Sequence, residues 1–299
     1  MYAMQRFGVL GAYAGMCAIW GTTWLVIKIA LRYAPPMTGV GLRFVAAGIA
    51  LGAIGLLQRG PRTRTPWKLV AVLAVFLFGL NYIFTYTAET RLDSGLVAVL
   101  FGTLPFFTFG FGHFLANERT TARAWAGAVV AFGGVAIISL GSQVQGSPLY
   151  ALAAIAAAAS SAFANVYAKR HSEHAPLVTL PPSMIAAGLA VGSFGALTEH
   201  PNWTLAFSAP SLAALAYLAF VGSGIAFFFN MWLLQRIPVW IIGLSALVIP
   251  VLAVAVGVVF GHEHFSTREL LGSLAVVVGI AVALTKQTAA QVAPIEAEV

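Results

Sequence analysis

Charged residues are scarce in this chain of 299 residues. Asp, Glu, Lys and Arg together make up 8% of it, and only nine residues are acidic. Soluble globular domains carry about 25% charged residues, so the composition excludes that class. Hydrophobic residues reach 60%, and the mean hydropathy is +0.90. We therefore expect a protein that lies within a membrane.

Cysteine and the motifs of enzyme sites are also lacking. Cys17 is the only cysteine, which excludes an intramolecular disulfide. The sequence shows no Cys/His ligand set and no glycine-rich phosphate loop. We expect no metal, no cofactor, no catalytic residue and no ATP motor, and hence no enzyme. The net charge of +7 comes from basic residues in short loops, which favours membrane orientation over nucleic-acid binding.

Long apolar runs predict an all-α membrane protein with ten transmembrane helices. The predicted spans are 8–33, 37–58, 67–91, 93–116, 121–141, 146–170, 176–197, 209–236, 238–261 and 266–286. Eleven Lys and Arg residues fall on the side of the amino terminus and four on the other side. Both termini are therefore predicted to be cytoplasmic, and the first apolar run to be a retained span in the bacterial inner membrane.

The chain repeats itself when it is shifted by 145 residues. Residues with special geometry or charge recur, such as Gly79/Gly224, Pro105/Pro250, Glu118/Glu263, Gly127/Gly272 and Gly134/Gly279. Five spans per repeat is an odd number, so the second repeat must enter the membrane from the opposite side. We expect one five-helix repeat over 1–141, an inverted one over 142–287, and a disordered cytoplasmic tail over 288–299.

Three features give the repeat a family resemblance. Each half has a proline within a span, an acidic residue after that span, and a glycine-bearing final span; the first span carries the sequence from Ile19 to Trp24. This pattern resembles the drug/metabolite transporter superfamily of the EamA type, over residues 8–286. Asn117 departs from the family, which usually has glycine before the Glu. The aromatic-rich middle of the chain is similar to YddG-like exporters of aromatic amino acids.

Aromatic and neutral polar residues in mid-span are the candidates for substrate binding. Lipid cannot satisfy a polar group, so such residues face a bundle interior or a cavity, although a single Phe is more often ordinary helix packing. The candidates are Trp20, Thr23, Trp24, Asn81, Tyr82, Thr85, Tyr86, Phe101, Phe163, Asn165, Tyr167, Phe227, Asn230, Met231 and Ser245. We expect spans 1, 3, 4, 6, 8 and 9 to enclose them in a central cavity, with spans 5 and 10 at the periphery.

Prolines and charges within the spans have competing interpretations. Pro105 and Pro250 either kink a helix statically or act as hinges, with the carbonyls of Phe101 and Ala246 freed. Arg43 needs a partner such as Glu89 or exposed carbonyls. Glu118 and Glu263 are expected to cap helix N-termini. Either Glu89 or His113 could carry a proton, but no acidic residue falls near the midplane, which favours passive or substrate-driven transport.

The resemblance implies a transporter that exports small amphipathic metabolites, amino acids above all, by alternating access without ATP. Its partners would be a small-molecule substrate and membrane lipid, with no nucleic acid and no obligate protein partner. The alternative is a multidrug or organic-cation efflux carrier, which would ordinarily place a carboxylate in the cavity. A membrane-embedded enzyme or scaffold is a third possibility, but it does not explain the inverted repeat.

Overall fold

A computed structural model describes residues 2–58, 64–92, 94–138, 148–252 and 267–285, and every regular element in these ranges is a helix. The helices are α1 (Tyr2–Ala30), α2 (Pro36–Leu57), α3 (Trp67–Glu89), α4 (Ser94–Phe101), α5 (Leu104–Ala116), α6 (Ala122–Ile138), α7 (Pro148–Arg170), α8 (Pro176–Thr198), α9 (Trp203–Ala206), α10 (Ala209–Leu234), α11 (Val239–Leu252) and α12 (Thr267–Leu284). The all-α prediction is confirmed for these residues.

Seven helical segments are long and apolar enough to cross a membrane, with α4 and α5 together supplying one of them. Three shorter apolar helices, α6, α11 and α12, add to these. The number of spans therefore agrees with a multi-pass protein, while the topology of ten spans stays a prediction. The tail 288–299 and Glu263 lie outside the described residues.

Helices α2 and α8 pack with their backbones in contact. A Cβ placed on Gly48 would lie 2.9 Å from the carbonyl oxygen of Pro181, and one on Gly188 would lie 3.0 Å from that of Gly41. Gly48, the later residue of α2, meets the earlier part of α8, and Gly41 meets the later part, so the two helices are antiparallel. Small residues allow this approach, which packs helices closely where lipid gives no hydrophobic driving force.

Helices α6 and α12 form a second antiparallel pair of the same kind. A Cβ on Gly134 would lie 2.5 Å from the carbonyl oxygen of Gly272, and one on Gly279 would lie 2.5 Å from that of Gly127. Real Cβ atoms do not approach a backbone oxygen so closely. Glycine is therefore required at these positions by the space between the helices.

Helices α3 and α10 each contain a π-helical stretch, which the apolar pattern did not predict. The stretches are Leu73–Leu80 and Tyr217–Ile225, and a shift of 145 residues brings the first onto the second. A neighbouring side chain bonds to a carbonyl in each: Ser160 Oγ donates to Phe76 O at 2.7 Å, and Arg43 donates to Gly222 O at 3.3 Å. Such stretches frequently mark functional sites.

The region of Pro105 differs from the continuous span that was predicted. Helix α4 ends at Phe101 and α5 begins at Leu104. Pro105 therefore lies in the first turn of a helix, where its missing N–H costs nothing. The prediction that it interrupts a helix interior is wrong, because the chain turns before the proline is reached. Pro250 is buried within α11, six residues after a turn at Leu244.

Asn117 and Glu118 link the end of α5 to α11. Asn117 has a φ of 53°, a left-handed conformation that Asn tolerates nearly as Gly does, which explains its place before Glu118. Both carboxylate oxygens of Glu118 accept from the N–H of Val239 at 3.0 Å. Glu118 is thus a capping residue, as predicted, but for α11 and not for the helix that follows it. Burial raises the pKa of Glu118, and its backbone hydrogen bonds oppose that rise.

Candidate functional site

A central cavity lies among seven helices, with an empty volume of about 670 Å³ that includes the solvent space at its mouth. Its lining residues are Trp20, Thr23, Trp24 and Ile27 of α1, Asn81, Tyr82 and Thr85 of α3, Phe101 of α4, Leu104 of α5, Ser161 and Asn165 of α7, Phe227 and Asn230 of α10, and Ile242, Ser245, Ala246 and Ile249 of α11. These helices occupy the predicted spans 1, 3, 4, 6, 8 and 9, so the expected enclosure is confirmed.

Eleven of the fifteen predicted binding residues line this cavity. They are Trp20, Thr23, Trp24, Asn81, Tyr82, Thr85, Phe101, Asn165, Phe227, Asn230 and Ser245. Polar groups in mid-span gave the strongest indication, because lipid offers them no partner. Their assignment to substrate binding stays a prediction.

The other four predicted residues lie elsewhere. Tyr86 is buried behind the wall, where its hydroxyl accepts from Arg43 at 3.5 Å. Phe163 packs against Phe76 with ring centroids 4.7 Å apart, and Tyr167 stacks on His171 at 4.4 Å. Met231 is buried in the main hydrophobic core. Helical spacing placed these residues near the cavity but could not tell in which direction each side chain packs.

Six lining residues were not among the predicted ones. Five are aliphatic and carry no signal beyond ordinary helix packing: Ile27, Leu104, Ile242, Ala246 and Ile249. Ser161 could have been found, because it lies one helical turn before Asn165 and accepts a hydrogen bond from it at 3.4 Å.

Aromatic rings form much of the cavity wall. Trp20 meets Phe227 edge to face with ring centroids 5.4 Å apart, and Trp24 meets Phe101 in the same way at 6.1 Å. Each pair joins two helices. Edge-to-face pairs hold rings in fixed orientations, and such walls offer an apolar ligand group a preformed surface.

An amide pair supplies polar groups to the same cavity. Asn230 Nδ2 donates to Asn165 Oδ1 at 2.8 Å. Asn230 Oδ1 and the indole N–H of Trp20 are buried without a hydrogen-bond partner. An unpaired buried polar group costs about 1–3 kcal/mol. A ligand that donated a hydrogen bond to Asn230 Oδ1 and accepted one from the indole N–H of Trp20 would remove this cost.

Positions that line the cavity correspond across the repeat, but their residues differ. A shift of 145 residues relates Tyr82 to Phe227 and Thr85 to Asn230, and all four residues line the cavity. Phe101 and Ala246 are related in the same way. The two halves therefore contribute matching positions to the cavity but unlike side chains.

Within the described part of the chain, no charged side chain lines the cavity. Arg43 of α2 lies just behind it, fully buried. Its Nε donates to Ser223 Oγ at 2.7 Å, and its Nη2 to the Tyr82 hydroxyl at 3.4 Å. Of the two kinds of partner expected for Arg43, the structure shows a carbonyl, that of Gly222 at 3.3 Å. Glu89 is not a partner, since both of its oxygens are buried without a hydrogen bond.

Comparison with known proteins agrees with this architecture. The model of the EamA-like transporter family matches residues 6–140 and again 148–285. The uncharacterized inner membrane transporter YedA of Escherichia coli (strain K12) is 31% identical, over 94% of this chain and 92% of its own. A probable amino-acid metabolite efflux pump of Salmonella typhimurium (strain LT2) is 26% identical, over 88% and 90%. A solved crystal structure has a TM-score of 0.78 at 23% identity, covering 93% of this chain and 96% of the other, which shows the fold alone.

Proposed function

Because the chain belongs to the EamA-like transporter family, we propose that it exports small amphipathic metabolites, above all amino acids and the aromatic ones among them. The family and the names of the relatives indicate a membrane transporter and not an enzyme. One relative is named an inner membrane transporter and another a probable amino-acid metabolite efflux pump. These names support a place in the bacterial inner membrane and the outward direction of transport.

The cavity is the observation that carries the proposal. Trp20, Trp24, Phe101 and Phe227 offer an apolar surface, and Asn230 offers an unpaired polar group beside it. A ligand with an apolar body and a polar head matches this combination. An organic cation would ordinarily need a carboxylate in the wall, and the described lining contains none. Efflux of organic cations is therefore the less supported function.

We propose ten spans in two inverted repeats, with both termini in the cytoplasm. Reciprocal contacts support this topology. Gly127 and Gly134 of α6 correspond to Gly272 and Gly279 of α12 in the repeat, and Gly127 meets Gly279 while Gly134 meets Gly272. When two equivalent residues exchange partners in this way, a two-fold axis passes between them. The separate matches of the family model to 6–140 and 148–285 support the proposal of two repeats that divide near residue 141.

Alternating access would require the helices around the cavity to bend or rock. The turn before Pro105 and the turn at Leu244 before Pro250 interrupt the helices that line one side. The π-helical stretches in α3 and α10 offer matching weak points on the other side. We propose Pro105 and Pro250 as hinges on this basis, with the two stretches as further sites of bending.

Flux measurements in proteoliposomes test the function. Vesicles containing the purified protein are loaded with radiolabelled L-phenylalanine, and efflux is followed without ATP. We expect efflux that is saturable and faster than from protein-free vesicles. Labelled tetraphenylphosphonium serves as the organic-cation probe. Flux of the cation but not of any amino acid would support the alternative, and flux of neither would refute both.

A further inference from the structure

Arg43 is a buried cation next to the cavity. It is 0% exposed, and the contacts of its guanidinium are the hydroxyls of Ser223, Tyr82 and Tyr86 and the carbonyl of Gly222. None of these partners carries a negative charge. Three of the four contacts are 3.3–3.5 Å long, which makes them weak hydrogen bonds. The guanidinium also lies over the rings of Phe44 and Tyr82, at 5.4 and 4.9 Å from their centroids. These neutral contacts stabilise the guanidinium but leave its positive charge without a counter-charge.

One layer of side chains separates this charge from the cavity. The guanidinium carbon lies 4.9 Å from the ring centroid of Tyr82, which is part of the cavity wall. On a second side, a Cβ placed on Gly222 would lie 3.4 Å from Arg43 Nη2 and 3.3 Å from Thr23 Oγ1. Thr23 also lines the cavity. Arg43 thus contacts one lining residue, Tyr82, and shares a neighbour, Gly222, with a second, Thr23.

A positive charge in this position makes the electrostatic potential within the cavity more positive. Coulomb interactions are stronger in a protein interior than in water, because the effective dielectric constant there is about 20 and not 80. No described charge lines the cavity to oppose this potential. Glu89 is the nearest acidic residue along α3, one turn beyond Thr85, but it does not line the cavity.

We propose that Arg43 makes the transporter select substrates that carry a carboxylate and reject cations that lack one. The side chain acts through its field across Tyr82 and Thr23 and does not need to touch the substrate. This inference rests on the proposed function and narrows its substrate class. It also gives a physical reason why the same cavity would not carry organic cations.

A matched set of ligands tests the selection on the unmodified protein. L-phenylalanine and L-phenylalaninamide share their ring and amine and differ in the carboxylate, while 3-phenylpropionate keeps the carboxylate and lacks the amine. We expect L-phenylalanine and 3-phenylpropionate to compete with labelled L-phenylalanine for transport, and L-phenylalaninamide to compete at least about tenfold more weakly, the effect of one nearby charge at such a dielectric constant. Equal or stronger competition by the amide would overturn the inference.

Variants identify the residue responsible. Arg43→Gln should reduce the preference for L-phenylalanine over the amide by about tenfold, and Arg43→Lys should restore it. Glu89→Gln is the control and should leave the preference unchanged. A folded Arg43→Gln protein with the original preference, or a Glu89→Gln protein that loses it, would contradict the role of Arg43. If the unmodified protein moves none of the three ligands, the proposed function fails first, and this inference fails with it.

Discussion

The glycine contacts between helices differ from the central cavity in how the two repeats compare. Where α6 meets α12, corresponding positions hold the same residue, Gly127 with Gly272 and Gly134 with Gly279. Where the helices line the cavity, corresponding positions hold different residues, such as Thr85 and Asn230. Close backbone packing requires glycine in both halves, whereas a binding surface for an asymmetric ligand requires two unlike sides. Substitutions at the two kinds of position should therefore have different effects on stability and on transport.

The largest effect is expected at the glycine contact. Gly134→Ala would place a Cβ 2.5 Å from the carbonyl oxygen of Gly272 and 2.7 Å from the amide nitrogen of Val276. The helices must separate, at a cost of about 1–3 kcal/mol or more. We expect a large fall in the yield of folded protein and in its melting temperature in detergent.

The neighbouring glycine supplies a matched control. A Cβ on Gly133 would meet nothing within 4 Å. Gly133→Ala should therefore leave the melting temperature unchanged or raise it slightly, because alanine favours a helix. Equal losses in both variants would show that the close approach of α6 and α12 does not limit stability.

Removal of a cavity ring should affect transport more than stability. Trp20→Ala deletes the ring that meets Phe227 and, if the cavity is the binding site, a contact surface for substrate. We expect KM for L-phenylalanine to rise about tenfold, the effect of losing 1.4 kcal/mol of binding free energy. Phe194→Ala is the control, because Phe194 is 61% exposed on α8. A similar KM in both variants would count against an aromatic binding cavity.

Loss of the carboxylate that caps α11 should have a moderate effect. Glu118→Ala leaves the N–H of Val239 without its acceptor and should cost about 1 kcal/mol of unfolding free energy. Glu118→Gln keeps an acceptor oxygen and removes the buried charge, so it should retain most of that stability near neutral pH. Chemical or thermal unfolding of the three proteins measures the difference.

The same residue predicts a dependence on pH. Because the pKa of Glu118 is raised above its ordinary value of 4.5 in the folded protein, the folded state binds more protons than the unfolded state just above that pH. Its contribution to the unfolding free energy is therefore present at low pH and is lost as pH rises through the folded-state pKa. Glu118→Gln should flatten this part of the stability curve. An identical pH profile in both proteins would contradict the raised pKa.

The smallest effect is expected at the π-helical stretch of α3. Ser160→Ala removes the hydroxyl that donates to Phe76 O at 2.7 Å, a bond between helices worth about 1 kcal/mol. Thr198→Ala is the control, because its hydroxyl bonds only to Phe194 O within its own helix. We expect a lower melting temperature only for Ser160→Ala. No difference between them would show that the bond does not hold the stretch in place.

The lengths of the apolar runs predicted many of the helices, and the polar residues in mid-span predicted much of the cavity lining. Asn81, Asn165 and Asn230 could be placed in a cavity because lipid leaves an amide no other partner. Contacts between distant parts of the chain were beyond such reasoning. The cap that Glu118 provides for α11 joins residues 121 positions apart, and local spacing contains no information about it.

Local backbone geometry set a second limit on prediction from sequence. The turn before Pro105 and the π-helical stretches in α3 and α10 depend on how neighbouring helices fill the space around them. A run of apolar residues such as Leu73–Leu80 reads equally well as a regular α-helix. The partners of Arg43 could not be predicted either, because Ser223 and Gly222 come from the other repeat.

Substrate protection of a single cysteine in the cavity tests whether the substrate binds there. Cys17 is the only native cysteine, so Cys17→Ala gives a background in which Ser245→Cys places one thiol in the cavity wall. Its rate of reaction with a small methanethiosulfonate reagent is then measured with and without L-phenylalanine. We expect a slower reaction at concentrations of L-phenylalanine that saturate transport. An unchanged rate in a variant that still transports L-phenylalanine would show that the substrate does not pass through this cavity.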